Sequence, residues 1–369
     1  MIAGIDARAA AEVPAGRGRY VRELLRALDA LADDGSRYRL YARAPWGELS
    51  GRFAWSRLGA RDPLWHLAAA ARASRACDVF LSTNSYLTAW FTTVPTAIVV
   101  YDLVPFVEGA QGQARAARIE RATIRPALRR ADAFLCISEA TRRDLLAHFP
   151  HTADRARVIP LAADSRVAAT PAPSRFGKPY VLAAGTLEPR KNLVRLIEAW
   201  TALPSSVRGA HVLALVGPTG WDFDATLAAA RARPDQVRLL GYVDEDELAT
   251  LYAGCAAFAY PSLYEGFGLP VLEAMSAGAP VITSTVSSLP EVAGDAALLV
   301  DPYDVRAIRD ALASVLGEPD RAAAMSKAGR ARAALFSWER TARETRDVLR
   351  TLTERSRDQR ARAPESSRS

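Results

Sequence analysis

Two glutamates and two glycines stand in close order late in the chain: Glu265, Gly266, Gly268 and Glu273, within PSLYEGFGLPVLEAMSAGAP from Pro261. The apolar run AAFAY ahead of them reads as a buried strand. Pro270 falls where a first helical turn begins, because its missing N–H costs nothing there. Glycines in the intervening loop let the backbone approach a ligand closely. A helix start behind them offers free N–H groups and a partial positive charge. That combination suits a phosphate or the oxygens of a sugar. The two carboxylates also invite comparison with a glycosidase acid/base pair. Eight residues of helix, however, span about 12 Å with roughly 80° of rotation, against about 5 Å for a retaining pair. Glu265 and Glu273 are therefore expected to hold different parts of one long ligand. The plain structural alternative, a glycine-rich turn with a buried carboxylate, fits a lone glycine pair better than two glutamates and two glycines behind a buried strand.

Other residues could serve the same ligand. Arg190 and Lys191 in EPRKN precede a helix predicted from about Asn192. Positive charge at a helix start opposes the dipole, so the placement favours an anionic ligand over a solvated surface. Gly16 and Gly18 precede another helix in AGRGRYVREL. This is not a dinucleotide fingerprint: the third glycine is missing, and the strand-to-helix loop of about ten residues is far longer than the tight turn required. Ala42 and Arg43, not an acidic residue, follow the strand ending near Tyr41. Tyr101 and Asp102 follow the buried run TAIVV, where Asp102 is as readily a turn cap as a catalytic group. The DxD sequences Asp222-Phe-Asp224 and Asp244-Glu-Asp246 could carry a divalent ion. Both sit at predicted helix starts, where acidic residues are favourable in their own right.

The elements that position these residues alternate between short apolar strands and amphipathic helices. Strands are predicted at Ile2 to Ile5, Thr96 to Val100 and Ala133 to Ile137, and a helix from Arg19 to Leu31. Ser138 is read as the N-cap of a helix running to Phe149. A second series starts at Tyr180, with strands YVLAAG, HVLALVG, VRLL, AAFAY and PVIT, and capping-box spacing at Asp244 and Glu247. This alternation implies parallel sheets with helices on both faces. At 369 residues the chain is too long for one ordinary core. The aperiodic, Ala/Pro/Ser-rich stretch from Leu161 to Pro179 reads as a linker. The expected division is an amino-terminal domain over 1–165, a linker over 166–179 and a carboxy-terminal domain over 180–336. A last helix, 337–353, is expected to return toward the first domain, and 355–369 to form a disordered tail.

Composition narrows the class. The net charge of +7 comes from 48 basic and 41 acidic residues, a modest excess. Cys77, Cys136 and Cys255 are widely separated, which argues against a disulfide framework or zinc site and fits a reducing compartment. Asp6 and Arg8 interrupt the start before a signal-peptide core could form, and no apolar run approaches the roughly 18 residues of a membrane span. A cytoplasmic protein is expected. Arg43 to Arg75, with Trp46, Phe53, Trp55 and Trp65, and the Arg-rich helix from Arg115 to Arg130 read either as a peripheral membrane face or as helix exterior with aromatic anchors. No nucleic-acid module accompanies the charge.

Glu265 and Glu273 with GFGLP between them resemble the signature of retaining glycosyltransferases of family 4, which have the GT-B fold. GIDAR, GRGRY, VVYDLVP, CISEATRRDL, AAGTLEPRKNL, GYVDEDELATLYAGC and SSLPEVAGDAALLVDP extend the similarity over nearly the whole chain, most closely toward bacterial polysaccharide mannosyltransferases. The resemblance implies two doubly wound Rossmann-like domains facing each other across a cleft. It implies a nucleotide-sugar donor, a saccharide or lipid-linked saccharide acceptor, and no metal or other cofactor. By resemblance Glu265 contacts donor-sugar hydroxyls and Glu273 the nucleotide ribose. The amides of Gly266, Phe267, Gly268 and Leu269 face the sugar and β-phosphate, Arg190 and Lys191 clamp the diphosphate, Gly16 and Gly18 face the donor or acceptor, and Tyr242 and Val243 approach the base. Tyr101 stands where relatives usually have His. Mannose from GDP-mannose is the first expectation. UDP-glucose or another UDP-sugar, a sugar-nucleotide epimerase and a non-catalytic relative are the alternatives.

Overall fold

The apolar runs do become strands, and the order in which they are laid down decides where a ligand can bind. The computed structural model describes residues 1–13, 16–107, 114–163 and 174–362, without the side chains of 114–116. In the first half the strands are β1 Ile2–Asp6, β2 Arg37–Ala42, β3 Phe53–Arg57, β4 Val79–Ser82, β5 Thr96–Val100, β6 Ala133–Cys136 and β7 Ala156–Val158. In the second they are β8 Tyr180–Ala184, β9 Val212–Val216, β10 Val237–Gly241, β11 Ala257–Tyr260, β12 Val281–Ser284 and β13 Ala297–Val300. The sheets run β3-β2-β1-β4-β5-β6-β7 and β10-β9-β8-β11-β12-β13, and every pairing is parallel. Helices cover both faces, so central strands such as TAIVV, YVLAA and VLALV are buried at every position.

Each sheet grows outward in one direction and then restarts on the other side of its first strand. The reversal falls between β1 and β4 in one sheet and between β8 and β11 in the other. In doubly wound sheets a crevice opens beyond the carboxyl ends of the strands at that point.

Local signals account for the helix starts. Ser138 accepts from the Thr141 amide at 2.9 Å, Asp244 from the Glu247 amide at 2.8 Å, and Ser337 from the Arg340 amide at 3.2 Å. Of the two DxD sequences, Asp244 is thus a helix cap and Asp224 opens the helix Asp224–Arg231. The aromatic residues between Arg43 and Arg75 turn inward. Phe53 stacks on Tyr38 with ring centroids 4.7 Å apart, Trp65 is fully buried under the Arg8 guanidinium, and Arg26 lies over Trp46.

The carboxy-terminal region departs from expectation. The last helix runs from Trp338 to Arg362, so the tail expected to be disordered from 355 is helical as far as the structure describes it. Ala342, Leu349 and Leu352 bury its apolar stripe against the helix Arg17–Ala30 and β4. Thr341 donates to the Pro160 carbonyl at 2.6 Å, and Arg357 reaches Asp78 at 3.3 Å, which holds the last turns to the first domain. Residues 363–369 lie outside the described residues, as do 164–173 of the expected linker. Beyond them, Phe176 packs edge-on against Tyr180. Leu349→Ala is expected to cost about 2–5 kcal/mol by urea unfolding, while Ala at the exposed Arg340, which pairs with Glu344, changes stability by less than about 0.5 kcal/mol.

Candidate active site

The loop after β11 carries Glu265 into a buried ring of donors. Its Oε1 accepts from Lys191 Nζ at 2.6 Å, from the Tyr260 hydroxyl at 2.9 Å and from Ser262 Oγ at 2.8 Å. Its Oε2 lies 2.8 Å from the Arg190 guanidinium. Arg190 and Lys191 come from the single turn Pro189–Lys191 that follows β8, immediately before the helix Leu193–Thr201. The two strands at the switch point therefore bring the cations and the carboxylate together. Burial alone would hold the Glu265 carboxyl protonated, but Arg190 and then Lys191 outweigh it and pull its pKa down to about 2. Burial likewise opposes the Arg190 charge, and Glu265 and Glu188 reverse the effect and raise its pKa. An acid this strong, with both oxygens engaged, acts by charge and hydrogen bonding and not by carrying a proton at neutral pH.

Glu273 is held separately. It is buried in the helix Leu269–Ala277 and pairs with Arg19 of the first domain. Arg19 and Arg22 also reach Glu245 at 3.5 Å. The two glutamates thus have different partners, as the helical spacing predicts.

Between them, the loop backbone touches the first domain. The Gly266 carbonyl accepts from Ser138 Oγ at 2.6 Å and Thr141 Oγ1 at 2.9 Å. A Cβ on Gly266 would lie 1.9 Å from the Tyr101 carbonyl oxygen, so only glycine fits. Gly268 adopts φ of 105°, a conformation glycine favours. Among the described residues, nothing accepts from the amides of Gly266, Phe267, Gly268 and Leu269. Further bonds join the domains nearby. Tyr264 donates to Asp144 at 2.7 Å and accepts from the Leu103 amide. Glu291 accepts from the Glu139 and Ala140 amides at 2.9 and 3.2 Å, capping the helix Glu139–His148 from across the cleft.

These groups enclose a cavity of about 330 Å³. Of the residues singled out from sequence, Gly16, Tyr101, Asp102, Arg190, Lys191, Glu265, Gly266, Phe267, Gly268, Leu269 and Glu273 line it. Three do not. Gly18 is buried inside its helix, where a Cβ would meet the Val13 carbonyl at 1.7 Å, so its role is packing. Tyr242 is 64% exposed, and Val243 packs into the core. Tyr101 spends its hydroxyl on the Thr83 carbonyl at 2.7 Å and turns its own carbonyl toward Gly266. Asp102 accepts from the Val104 amide at 3.1 Å, a turn cap, while still facing the cavity. Sequence reasoning missed Arg17, Arg19, Thr186 and Tyr260, which also line the wall. Arg17 and Arg19 were accessible as the cations interleaved in GRGR. Nothing local marks the others.

Paired doubly wound domains bring cations, open amides and carboxylates together where both sheets reverse, an arrangement suited to an anionic, hydroxyl-bearing ligand. The chain belongs to the family 4 glycosyltransferases: residues 14–166 match Glycosyltransferase Family 4 and residues 170–332 match Glycosyl transferases group 1. It is 39% identical over 229 residues to O-antigen chain mannosyltransferase B of Escherichia coli, covering 59% of this chain and 60% of that protein. Against the MMP alpha-(1->4)-mannosyltransferase of Mycolicibacterium hassiacum it is 33% identical over 221 residues, covering 57% and 52%. The matched region thus spans between half and two thirds of these relatives. Among solved structures, sucrose-phosphate synthase of Thermosynechococcus elongatus superposes with a TM-score of 0.76 at 26% identity, covering 95% of this chain and 98% of that one. WaaG, a glycosyltransferase of lipopolysaccharide biosynthesis, superposes at 0.71 with 18% identity, covering 95% and 99%, and shares the fold.

The Glu265 charge has a consequence for stability. Its pKa falls from the ordinary 4.5 to about 2 on folding, so its contribution is complete above about pH 5 and lost as the pH falls toward 2. Urea midpoints of the wild type are expected to drop steeply over that interval. Glu265→Gln starts lower and has a shallower profile, the gap at neutral pH being on the order of 3 kcal/mol. Parallel profiles for the two proteins would contradict the assignment.

Proposed function

We propose that the protein transfers a hexosyl group, mannose from GDP-mannose in the first instance, to a saccharide or lipid-linked saccharide during cell-surface polysaccharide synthesis, with retention of anomeric configuration. The observation that carries this reading is the meeting of Arg190, Lys191, Glu265, the open amides of 266–269 and Glu273 in one cavity between the domains. The similarity to mannosyltransferases supports the choice of sugar.

In this reading Glu273 takes the ribose hydroxyls and the amides at the start of its helix take the sugar and β-phosphate. Lys191 has three donors, of which Glu265 and Tyr260 engage two, leaving one for the diphosphate beside Arg190. The acceptor hydroxyl oxygen bonds to the anomeric carbon as the bond from that carbon to the β-phosphate oxygen breaks. The electron pair of that bond stays with the departing nucleoside diphosphate, which also takes the acceptor's proton. Arg190 and Lys191 stabilise the charge that develops there, so transfer proceeds without a metal. The carboxylate of Glu265 keeps these two cations in place and offers Oε2 to a donor-sugar hydroxyl. Asp102 and Tyr101 stand on the acceptor side of the same cavity.

No helix among the described residues is long and apolar enough to cross a membrane. The exposed Arg118, Arg121, Arg125 and Arg129 on one helix support a peripheral contact with an anionic bilayer, where a lipid-linked acceptor would reside.

A panel of nucleotide sugars tests the reading through thermal shift and slow donor hydrolysis together. GDP-mannose at a hundred times its Kd is expected to add about 2.7 kcal/mol of stability and to be hydrolysed slowly without acceptor. A response to UDP-sugars with none to GDP-mannose would remove mannose as the transferred sugar.

A further inference from the structure

Beside the donor cavity lies a second one, of about 280 Å³, within the amino-terminal domain. It opens at the carboxyl ends of β4 and β5, and Arg17 and Tyr101 belong to both walls. Asn84, Glu120 and the Tyr86 hydroxyl add polar groups, while the Ser85 and Thr123 hydroxyls are engaged by the Leu87 amide and the Glu120 carbonyl. Tyr86, Tyr101 and Ile119 supply aromatic and aliphatic surface. Among the described residues, no ion pair engages Arg17 or Glu120, and no hydrogen bond engages the Asn84 amide or the Tyr86 hydroxyl. Arg17 instead lies over the Tyr101 ring, 5.4 Å from its centroid. Burial raises the Glu120 carboxyl pKa, Arg17 opposes that and Asp102 adds to it.

Four polar side chains with unused hydrogen-bonding capacity, set against two aromatic rings, match a polyhydroxylated ring. Planar guanidinium, carboxylate and amide groups bridge adjacent hydroxyls, and the C–H face of the ring meets the aromatic surface. The volume lies just below the roughly 300–1,000 Å³ of sites for drug-sized ligands, which suits one sugar ring. The charge selects further. Among the described residues lining this wall Arg17 is the one cation, and its field is shared with two carboxylates, Asp102 and Glu120. A ring bearing a carboxylate or phosphate would therefore meet excess negative charge.

We propose that this cavity receives the terminal ring of the acceptor, that the ring is a neutral hexose, and that Glu120 selects against acidic sugars. The proposal rests on the glycosyl-transfer reading above and adds the class of acceptor. Seated here, the ring adjoins the donor cavity at Arg17 and Tyr101, the two residues that both cavities share.

Saturation-transfer NMR tests it on the full chain with GDP present, using an equimolar mixture of methyl α-D-mannopyranoside and methyl α-D-glucopyranosiduronate. The wild type is expected to saturate the neutral ring about tenfold more strongly than the uronate, and Glu120→Gln to lose most of that preference while its GDP-induced thermal shift stays unchanged. The wild-type arm stands without any variant: no binding of the neutral ring, or uronate bound as well, overturns the proposal. So does a preference that survives intact in a folded Glu120→Gln protein. Absence of any thermal shift with GDP or UDP would instead bring down the donor reading, and this one with it.

Discussion

A buried carboxylate that stays ionised organises this molecule. Glu265 is 8% exposed, and a charge in that setting persists only if it is paired and hydrogen-bonded. Arg190, Lys191, Tyr260 and Ser262 do this together, and they come from both strands flanking the point where the second sheet reverses. Meeting the needs of one carboxylate thus fixes the loop after β11 and the turn after β8 against each other. It also keeps two cations at the cavity wall: Arg190, which Glu188 pairs as well, and Lys191, which among the described residues has Glu265 as its ion-pair partner. The chemistry proposed for the site, stabilisation of a departing diphosphate, uses the same cations whose positions the carboxylate enforces.

That loop then serves as the floor on which the first domain rests. Gly266 gives its carbonyl to Ser138 and Thr141 and leaves no room for a side chain beside Tyr101. Glu291 caps the helix that Ser138 begins, and Arg19 reaches across to Glu273. The domain contact and the donor cavity are built from the same few residues. A ligand that draws on Arg19, Glu273 or the 266–269 amides therefore acts directly on how the halves meet, which is how closure can exclude water from the reacting centre.

How much of this could be read in advance followed sequence separation. The donor loop was legible because its signals are local: a buried strand, glycines at the turn, proline at the helix start and charges at fixed offsets. Caps at Ser138 and Asp244 were legible for the same reason. Glu291 as a cap for residue 139, or Arg357 as the anchor of the last helix on Asp78, depends on partners 152 and 279 positions away. The final helical turns looked like a polar tail because their stabilising contacts lie in another domain. Gly18 was misjudged because close packing against Val13 within one short segment and close approach to a ligand leave the same residue type. Tyr101 departs from the His that the family resemblance implies at this position. Its side chain turns to Thr83, and what it presents to the donor loop is a carbonyl that any residue could supply.

In the proposed function the Lys191 ammonium, held by Glu265, grips the diphosphate of the donor. Isothermal titration of GDP into the wild type and into Lys191→Met, which keeps the length and removes the charge, measures this directly. A loss of affinity of about tenfold or more, roughly 1.4 kcal/mol, is expected in a variant that remains folded. Unchanged GDP affinity in folded Lys191→Met protein would contradict it.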